Sequence, residues 1–167
     1  MSSRLFRQLR EESGLVYQIQ SNYHAYRDAG VLTIDGVTDP GQLVPVLARV
    51  MIELARIATG DAPVADEELW KAKMQVIGQT RLAGDNIHTR MSRLANQELY
   101  FRRSCPEDEV VAAIERIDCN DIASIANQVL EPALAQASVG LVGPELSDAK
   151  IQQVRELIKD FSSLHCP

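Results

Sequence analysis

Histidine, cysteine and aromatic residues are all scarce in this 167-residue sequence, and each shortage removes a class of function. His24, His88 and His165 stand far apart, with no HxxH or HExxH spacing. A hydrolytic zinc site needs two ligands on one helix face and a third close by, so no metal site is expected within this chain alone. Cys105, Cys119 and Cys166 are an odd number with no CxxC pair, which fits neither a disulfide framework nor a thiolate zinc site. A reducing compartment suits them, and the expected location is cytoplasmic. No serine lies in a GxSxG elbow and no Gly-rich phosphate loop is present. No apolar run approaches the roughly 20 residues of a membrane span, and the opening residues contain no apolar signal region. The formal charge of −6 argues against nucleic acid, because phosphate binding calls for a basic face. Aromatics make up 5% of the residues against 46% hydrophobics in all, so aliphatic side chains are expected to fill the core.

What is present reads as one α+β domain. Ser2 or Ser3 can cap a first helix that runs to about Glu12 with an apolar stripe of Leu5, Phe6 and Leu9, and Gly14 suits the left-handed position past its end. The segment "VYQIQSNYHAYRDAGVLTIDGV" predicts two strands around a turn at "RDAG". Gln18, Gln20, Asn22 and His24 fall on one face of the first strand and Ile19 and Tyr23 on the other. In the second strand Leu32 and Ile34 alternate with Thr33 and Asp35. One side of the hairpin is therefore polar, either solvated or lining a wet cavity.

Asp39 is a natural N-cap with Pro40 at the first helical position, and the following helix to about Thr59 is apolar on most sides. Pro45 predicts a kink early in it, and Gly60 ends it. "DEELWKAKMQVIGQTRLAGD" predicts a helix with acids in its first turn, broken at Gly84–Asp85 before a second, "NIHTRMSRLANQELYF". "PEDEVVAAIERI" and "CNDIASIANQVL" predict two shorter helices, with Asp118 and Asp121 at capping-box spacing. "LAQASVGLVG" reads as a buried strand and "ELSDAKIQQVRELIKDF" as an amphipathic last helix. Three strands are few for so many helices, which leaves room for a missing strand or one borrowed from a partner.

No catalytic apparatus stands out. The acidic stretches "GDAPVADEE" and "CPEDE" precede helices and are explained by capping. The arginines of "TRMSRL" and "YFRRS" can bind an anion or form a solvated helix face. Trp70 and Met74 fall at helical spacing, as core or interface residues do. His24 fits a solvated strand face, and His165 and Cys166 a chain end.

The order of "SSRLFRQLREESGLVY", "AYRDAGVLTIDGVTDP", "DEELWKAKMQVIGQ", "RMSRLANQELYF" and "LVGP" resembles the insulinase/pitrilysin-type zinc metallopeptidases, in particular their mitochondrial processing peptidase-like bacterial branch. The resemblance implies two homologous α+β halves closing around a chamber. One half carries the zinc motif HxxEH and the other has the same fold without metal. With no HxxEH, this sequence looks like the second, C-terminal half. The resemblance then implies an antiparallel sheet with helices packed on one face, zinc in the absent N-terminal half, and a substrate-binding arginine and tyrosine matching Arg10 and Tyr17. By residue chemistry, a guanidinium and a phenol can both donate to peptide carbonyls. Arg10 can equally pair with Glu11, Glu12 or Asp35, and Tyr17 shares strand parity with Ile19 on the core side.

The family's half-domain begins some tens of residues earlier, so residues 1–167 are expected to form a single, N-terminally truncated inactive-half domain whose first strand and helix are missing. An exposed sheet edge and self-association would follow. The implied partners are a peptide substrate and the metal-binding half of the same parent, with no nucleic acid and no membrane. Two functions fit: the chamber-forming half of a zinc metalloendopeptidase, or a non-catalytic partner or scaffold subunit of the same family.

Overall fold

In a computed structural model, residues 3–84 and 86–164 are described; Ser2, Asp85, His165 and Cys166, which figure in the expectations above, lie outside them. The architecture is α+β, as the sequence predicts. A π-helical segment Phe6–Glu12 leads to strands β1 (Gln18–Ala25) and β2 (Gly30–Val37). Helices follow: α1 (Leu43–Ala58), α2 (Asp66–Ala83), α3 (Ile87–Phe101), α4 (Glu107–Arg116), α5 (Cys119–Ala135) and α6 (Asp148–Leu164). The chain sorts into two compact units, Met1–Ala62 with Ile125–Pro167, and Pro63–Ser124.

The first unit is built on the hairpin. β1 and β2 pair antiparallel, with Ile19 opposite Gly36, Ser21 opposite Ile34 and Tyr23 opposite Leu32. Residues directly opposite share a face, so Ile19 and Ile34 point one way while Gln20, Asn22, His24, Thr33 and Asp35 point the other. The apolar face packs on one side only. Leu9, Val16, Ile19, Val46 and Val50 form a buried cluster, flanked by Leu5, Phe6, Leu15, Ile34 and Leu54. The stripe predicted for the first helix is thus what seats it on the hairpin, together with α1.

A second cluster joins Met51 and Ala58 of α1 to Leu134 of α5, with Phe161 of α6 packed beside it. This cluster accounts for a correction. The predicted strand "LAQASVGLVG" is not one. Its first residue, Leu134, is 2% exposed in the last turns of α5, and the helix continues through Pro132 to bury it. The remainder takes no strand pairing among the described residues, and Leu141 and Val142 stand exposed. A run of β-formers becomes a strand only when another strand supplies its hydrogen bonds.

Capping follows the sequence closely. The Phe6 amide donates to Ser3 Oγ at 3.2 Å, and the Gly41 amide to Asp39 Oδ1 at 2.6 Å with Pro40 following the cap. Pro45 costs its helix no hydrogen bond. Residues Pro40–Gln42 form a 3₁₀ turn, so the α-helix starts at Leu43 and Pro45 lies in its first turn, where an amide would have no intrahelical acceptor.

In the second unit α2 packs with α4, and Ile77 and Val111 are its buried apolar residues. Asn86 caps α3 through the His88 and Thr89 amides at 2.9 and 3.1 Å. Asp118 and Asp121 form the predicted box, each carboxylate accepting from the other's backbone amide at 2.9 Å. Trp70 and Met74 are not core residues: they are 59% and 43% exposed.

Candidate functional site

The stretch from Arg10 to Tyr17 is held at both ends. The π-helical turn closes with the Leu15 amide donating to the Leu9 carbonyl at 2.8 Å and the Gly14 amide to the Arg10 carbonyl at 3.3 Å. These bonds span six and four residues, one residue wider across the outer pair than an α-helical glycine stop, as suits the wider turn that ends there. Gly14 has φ +60°, the left-handed value the sequence predicts. Beyond it the Thr38 hydroxyl donates to the Leu15 carbonyl at 2.6 Å, and the Tyr17 amide to the Val37 carbonyl at 2.8 Å. Arg4 Nη1 ties the start of the segment to the Ala62 carbonyl at 2.6 Å. Leu9 and Val16, both buried, anchor the backbone beneath.

Both candidate side chains project from this frame. The Arg10 guanidinium lies over the Phe6 ring, 5.0 Å from its centroid, the stacking that guanidinium groups favour. Among the described residues it makes no ion pair. Of the three acids that could pair with it, Glu12 faces Arg7 at 3.5 Å, Asp35 accepts from Asn22 Nδ2 at 3.1 Å, and the exposed Glu11 makes no ion pair among the described residues. Tyr17 is 70% exposed and precedes β1, so strand parity with Ile19 does not bury it. The polar hairpin face lies beyond it, where Asn22 and Thr33 both donate to Asp35 Oδ2.

No group of three or more His, Cys, Asp or Glu side chains among the described residues is placed to hold a metal. His24 and His88 are both exposed. The donor set described here does not fit a zinc ion.

The arginine-rich α3 region separates into different environments. Arg90 is exposed. Arg103 makes a two-pronged pair with Glu109, in which Nη1 lies 2.7 Å from Oε2. That pair raises the guanidinium's pKa and holds the Glu109 carboxyl below its usual value. Arg93 is sheltered and faces Glu107 at 4.0 Å. Three features carried no individual signal in the sequence. Gln97, 7% exposed, clamps the Cys105 backbone in both directions at 3.2 and 3.1 Å. Glu53, 2% exposed, accepts from Arg56 at 3.0 Å, and its one trace is an acid on a helix otherwise apolar nearly all round. Cys119 Sγ donates to Asp66 Oδ1 at 3.3 Å, and this bond is the main cause of a thiol pKa above the usual value.

Residues 1–76 match the sequence model described as the Peptidase M16 inactive domain. The chain is 29% identical over 143 residues to an uncharacterised zinc protease, YmxG, of Bacillus subtilis, covering 86% of this chain and 34% of that protein. It is 28% identical over 158 residues to an uncharacterised zinc protease of Streptomyces coelicolor, covering 95% and 33%. A third, from Rickettsia felis, is 28% identical over 140 residues, covering 84% and 33%. The chain spans about a third of the length of these curated relatives. The likeness read from the opening segment and "DEELWKAKMQVIGQ" is borne out to this extent: the first 76 residues match the Peptidase M16 inactive domain, and most of the chain is similar to proteins named as zinc proteases.

Proposed function

We propose that this chain is the substrate-contacting, chamber-forming half of a zinc metalloendopeptidase, and that Arg10 and Tyr17 bind the peptide. The observation that carries the reading is the pairing of exposure with a fixed backbone. Both side chains are exposed, while the Arg10 carbonyl accepts from the Gly14 amide and the Tyr17 amide donates to the Val37 carbonyl at the end of β2. Groups held on a rigid frame lose little freedom when they engage a ligand. Arg10 offers planar, permanently charged donors steadied by Phe6, and Tyr17 a single phenolic donor. A peptide's carbonyl oxygens are the acceptors these groups match. The amide and carboxylate groups of the hairpin's polar face would meet an extended backbone alongside.

The metal-binding half of the parent supplies the zinc, whose bound water would provide the nucleophile. This chain's share is to bind and orient the peptide and to exclude water around it. The two thiols Cys105 and Cys119 are free, which suits a cytoplasmic, reducing setting. No described helix is long and apolar enough to cross a membrane.

The test uses a parent protein carrying this sequence beside its metal-binding half. Arg10→Ala and Tyr17→Phe should each lower peptide turnover, on the order of tenfold or more for the loss of one charged or transition-state hydrogen bond, with unchanged circular dichroism. Full activity in both variants refutes the assignment. Zinc-dependent cleavage by residues 1–167 alone refutes the division of labour. A scaffold or partner-subunit role shares this fold and predicts a parent without peptidase activity.

A further inference from the structure

Helix α2 is seated on one side and bare on an adjacent flank. In the seat, Ile77 is buried and Lys73 Nζ donates to the Glu115 carbonyl at 2.9 Å. At the first turn Asp66 Oδ1 accepts from Cys119 Sγ at 3.3 Å. At about 3.6 residues per turn, Trp70, Met74 and Gly78 follow one another up the bare flank. Trp70 and Met74 are 59% and 43% exposed, and a Cβ on Gly78 would meet nothing within 4 Å. Glu67 and Arg81, both exposed, close the two ends of the same stripe. Tryptophan, methionine and arginine are residue types that the cores of protein interfaces favour.

The stripe is complementary to itself. Met74 is its midpoint: Glu67 and Arg81 lie seven residues to either side, and Trp70 and Gly78 four to either side. Two copies of α2 packed antiparallel about a two-fold axis at Met74 bring each residue level with the one equally far beyond Met74 on the other copy. Glu67 then meets Arg81 of the second copy, twice over. Trp70 comes level with Gly78 of the second copy, where the missing side chain leaves room for the indole, and Arg81 of that copy lies within a turn for cation–π stacking. A parallel pair would set Glu67 against Glu67 and Arg81 against Arg81, like charges at both ends.

We propose that α2 is a self-docking surface, through which two copies of this chain pair antiparallel by Glu67, Trp70, Met74, Gly78 and Arg81. The surface differs from the sheet edge expected from the sequence, and it does not rest on the roles of Arg10 and Tyr17. An 18-residue helix is about 27 Å long and about 10 Å wide. So small a face falls short of the roughly 800 Å2 per partner of a standard interface. The dimer is therefore weak, with dissociation on the order of 10–100 μM.

Trp70 is the sole tryptophan, so its fluorescence reads the contact directly. Sedimentation equilibrium of the full chain over about 1–300 μM should show a monomer–dimer equilibrium, with tryptophan emission moving to the blue along the same curve. Glu67→Arg and Arg81→Glu should each weaken self-association on the order of tenfold, because two like-charged pairs replace two attractive ones. An equimolar mixture of these two variants should recover the association, since both opposite-charge pairs are restored between unlike copies. Gly78→Leu should weaken the dimer while strengthening the helix, which separates a lost docking surface from a lost fold. With Cys105, Cys119 and Cys166 replaced by serine, Met74→Cys should form a disulfide-linked dimer. Glu67→Cys should not, because its two copies lie about 21 Å apart along the pair. A monomer throughout the range would overturn the proposal in favour of a different partner. An unmoved emission maximum on dimerisation, undiminished association in either charge variant or in Gly78→Leu, no recovery in the mixture, or ready cross-linking at residue 67 would each overturn it as well.

Discussion

Replacing Gly14 with alanine isolates one physical quantity, the cost of holding an L-residue in left-handed backbone. Gly14 has φ +60°, and a Cβ added there would meet nothing within 4 Å, so packing contributes nothing to the change. What remains is the clash of Cβ with its own backbone, about 1–2 kcal/mol. Alanine also restricts the unfolded chain, which returns about 0.4–1 kcal/mol. The net loss is roughly 1 kcal/mol, or a fall in Tm of about 2–4 °C for a chain of this size. Gly78 is the matched control. It lies inside α2, has no positive φ, and a Cβ there would likewise meet nothing within 4 Å. Gly78→Ala should therefore stabilise by about 0.5–1 kcal/mol, the helix-interior penalty of glycine. Native-state amide exchange reads each change locally, at Leu15, whose amide closes the Gly14 turn on the Leu9 carbonyl, and at Ile77 in α2. Exchange should quicken at Leu15 in the first variant and slow at Ile77 in the second. Equal or slower exchange at Leu15 in Gly14→Ala, or changes of the same sign in both variants, would refute the argument that backbone conformation selects glycine at residue 14. Gly14→Asn should fall between, since asparagine tolerates the left-handed region.

Two further outcomes follow from the same geometry. Leu134→Ala should cost about 2–5 kcal/mol by denaturant unfolding, because Leu134 is 2% exposed between Met51 and Ala58; a surface-like loss below about 0.5 kcal/mol would deny it a place in the core. Cys119 should alkylate with a pH midpoint above the usual thiol value of 9.0, in a background with Cys105 and Cys166 replaced by serine. The sign follows from the bond to Asp66. The neutral thiol donates to the carboxylate, so the interaction is intact below the unfolded thiol's pKa and is lost as pH rises through the raised folded value. Asp66→Asn should bring the midpoint down, and an unmoved midpoint would remove the carboxylate as its cause.

Much of the architecture is local and was legible. Ser3, Asp39, Asn86 and the Asp118–Asp121 pair cap helices where their side chains can reach nearby amides, which depends only on neighbours in sequence. The hairpin was legible because period-two alternation is a property of the strand itself. The segment after Leu134 was misread for the complementary reason. Val139, Leu141 and Val142 favour a strand by composition, yet pairing requires a second strand, and propensity says nothing about whether one is at hand. The expectation for Pro45 missed by three residues of helix onset, since the 3₁₀ turn Pro40–Gln42 puts Pro45 in the first α-helical turn.

For the candidate site, the sequence by itself determined which residues are there: an arginine and a tyrosine flanking a glycine that stops a helix, in a chain without the spacing of a zinc motif. It determined the left-handed turn as well, because only the local backbone is involved. Tertiary structure decided their surroundings. Arg10 rests on Phe6, while the Asp35 carboxylate accepts from Asn22 and Thr33 of the paired strands. Tyr17 stands exposed one residue before β1 begins, with its amide held by the Val37 carbonyl. Arg93 and Arg103, ten residues apart in one basic stretch, differ because α4 brings Glu109 within bonding distance of one and leaves Glu107 just short of the other. Hydrogen bonds and ion pairs depend on distances of a few tenths of an ångström, and only packing between elements sets those distances.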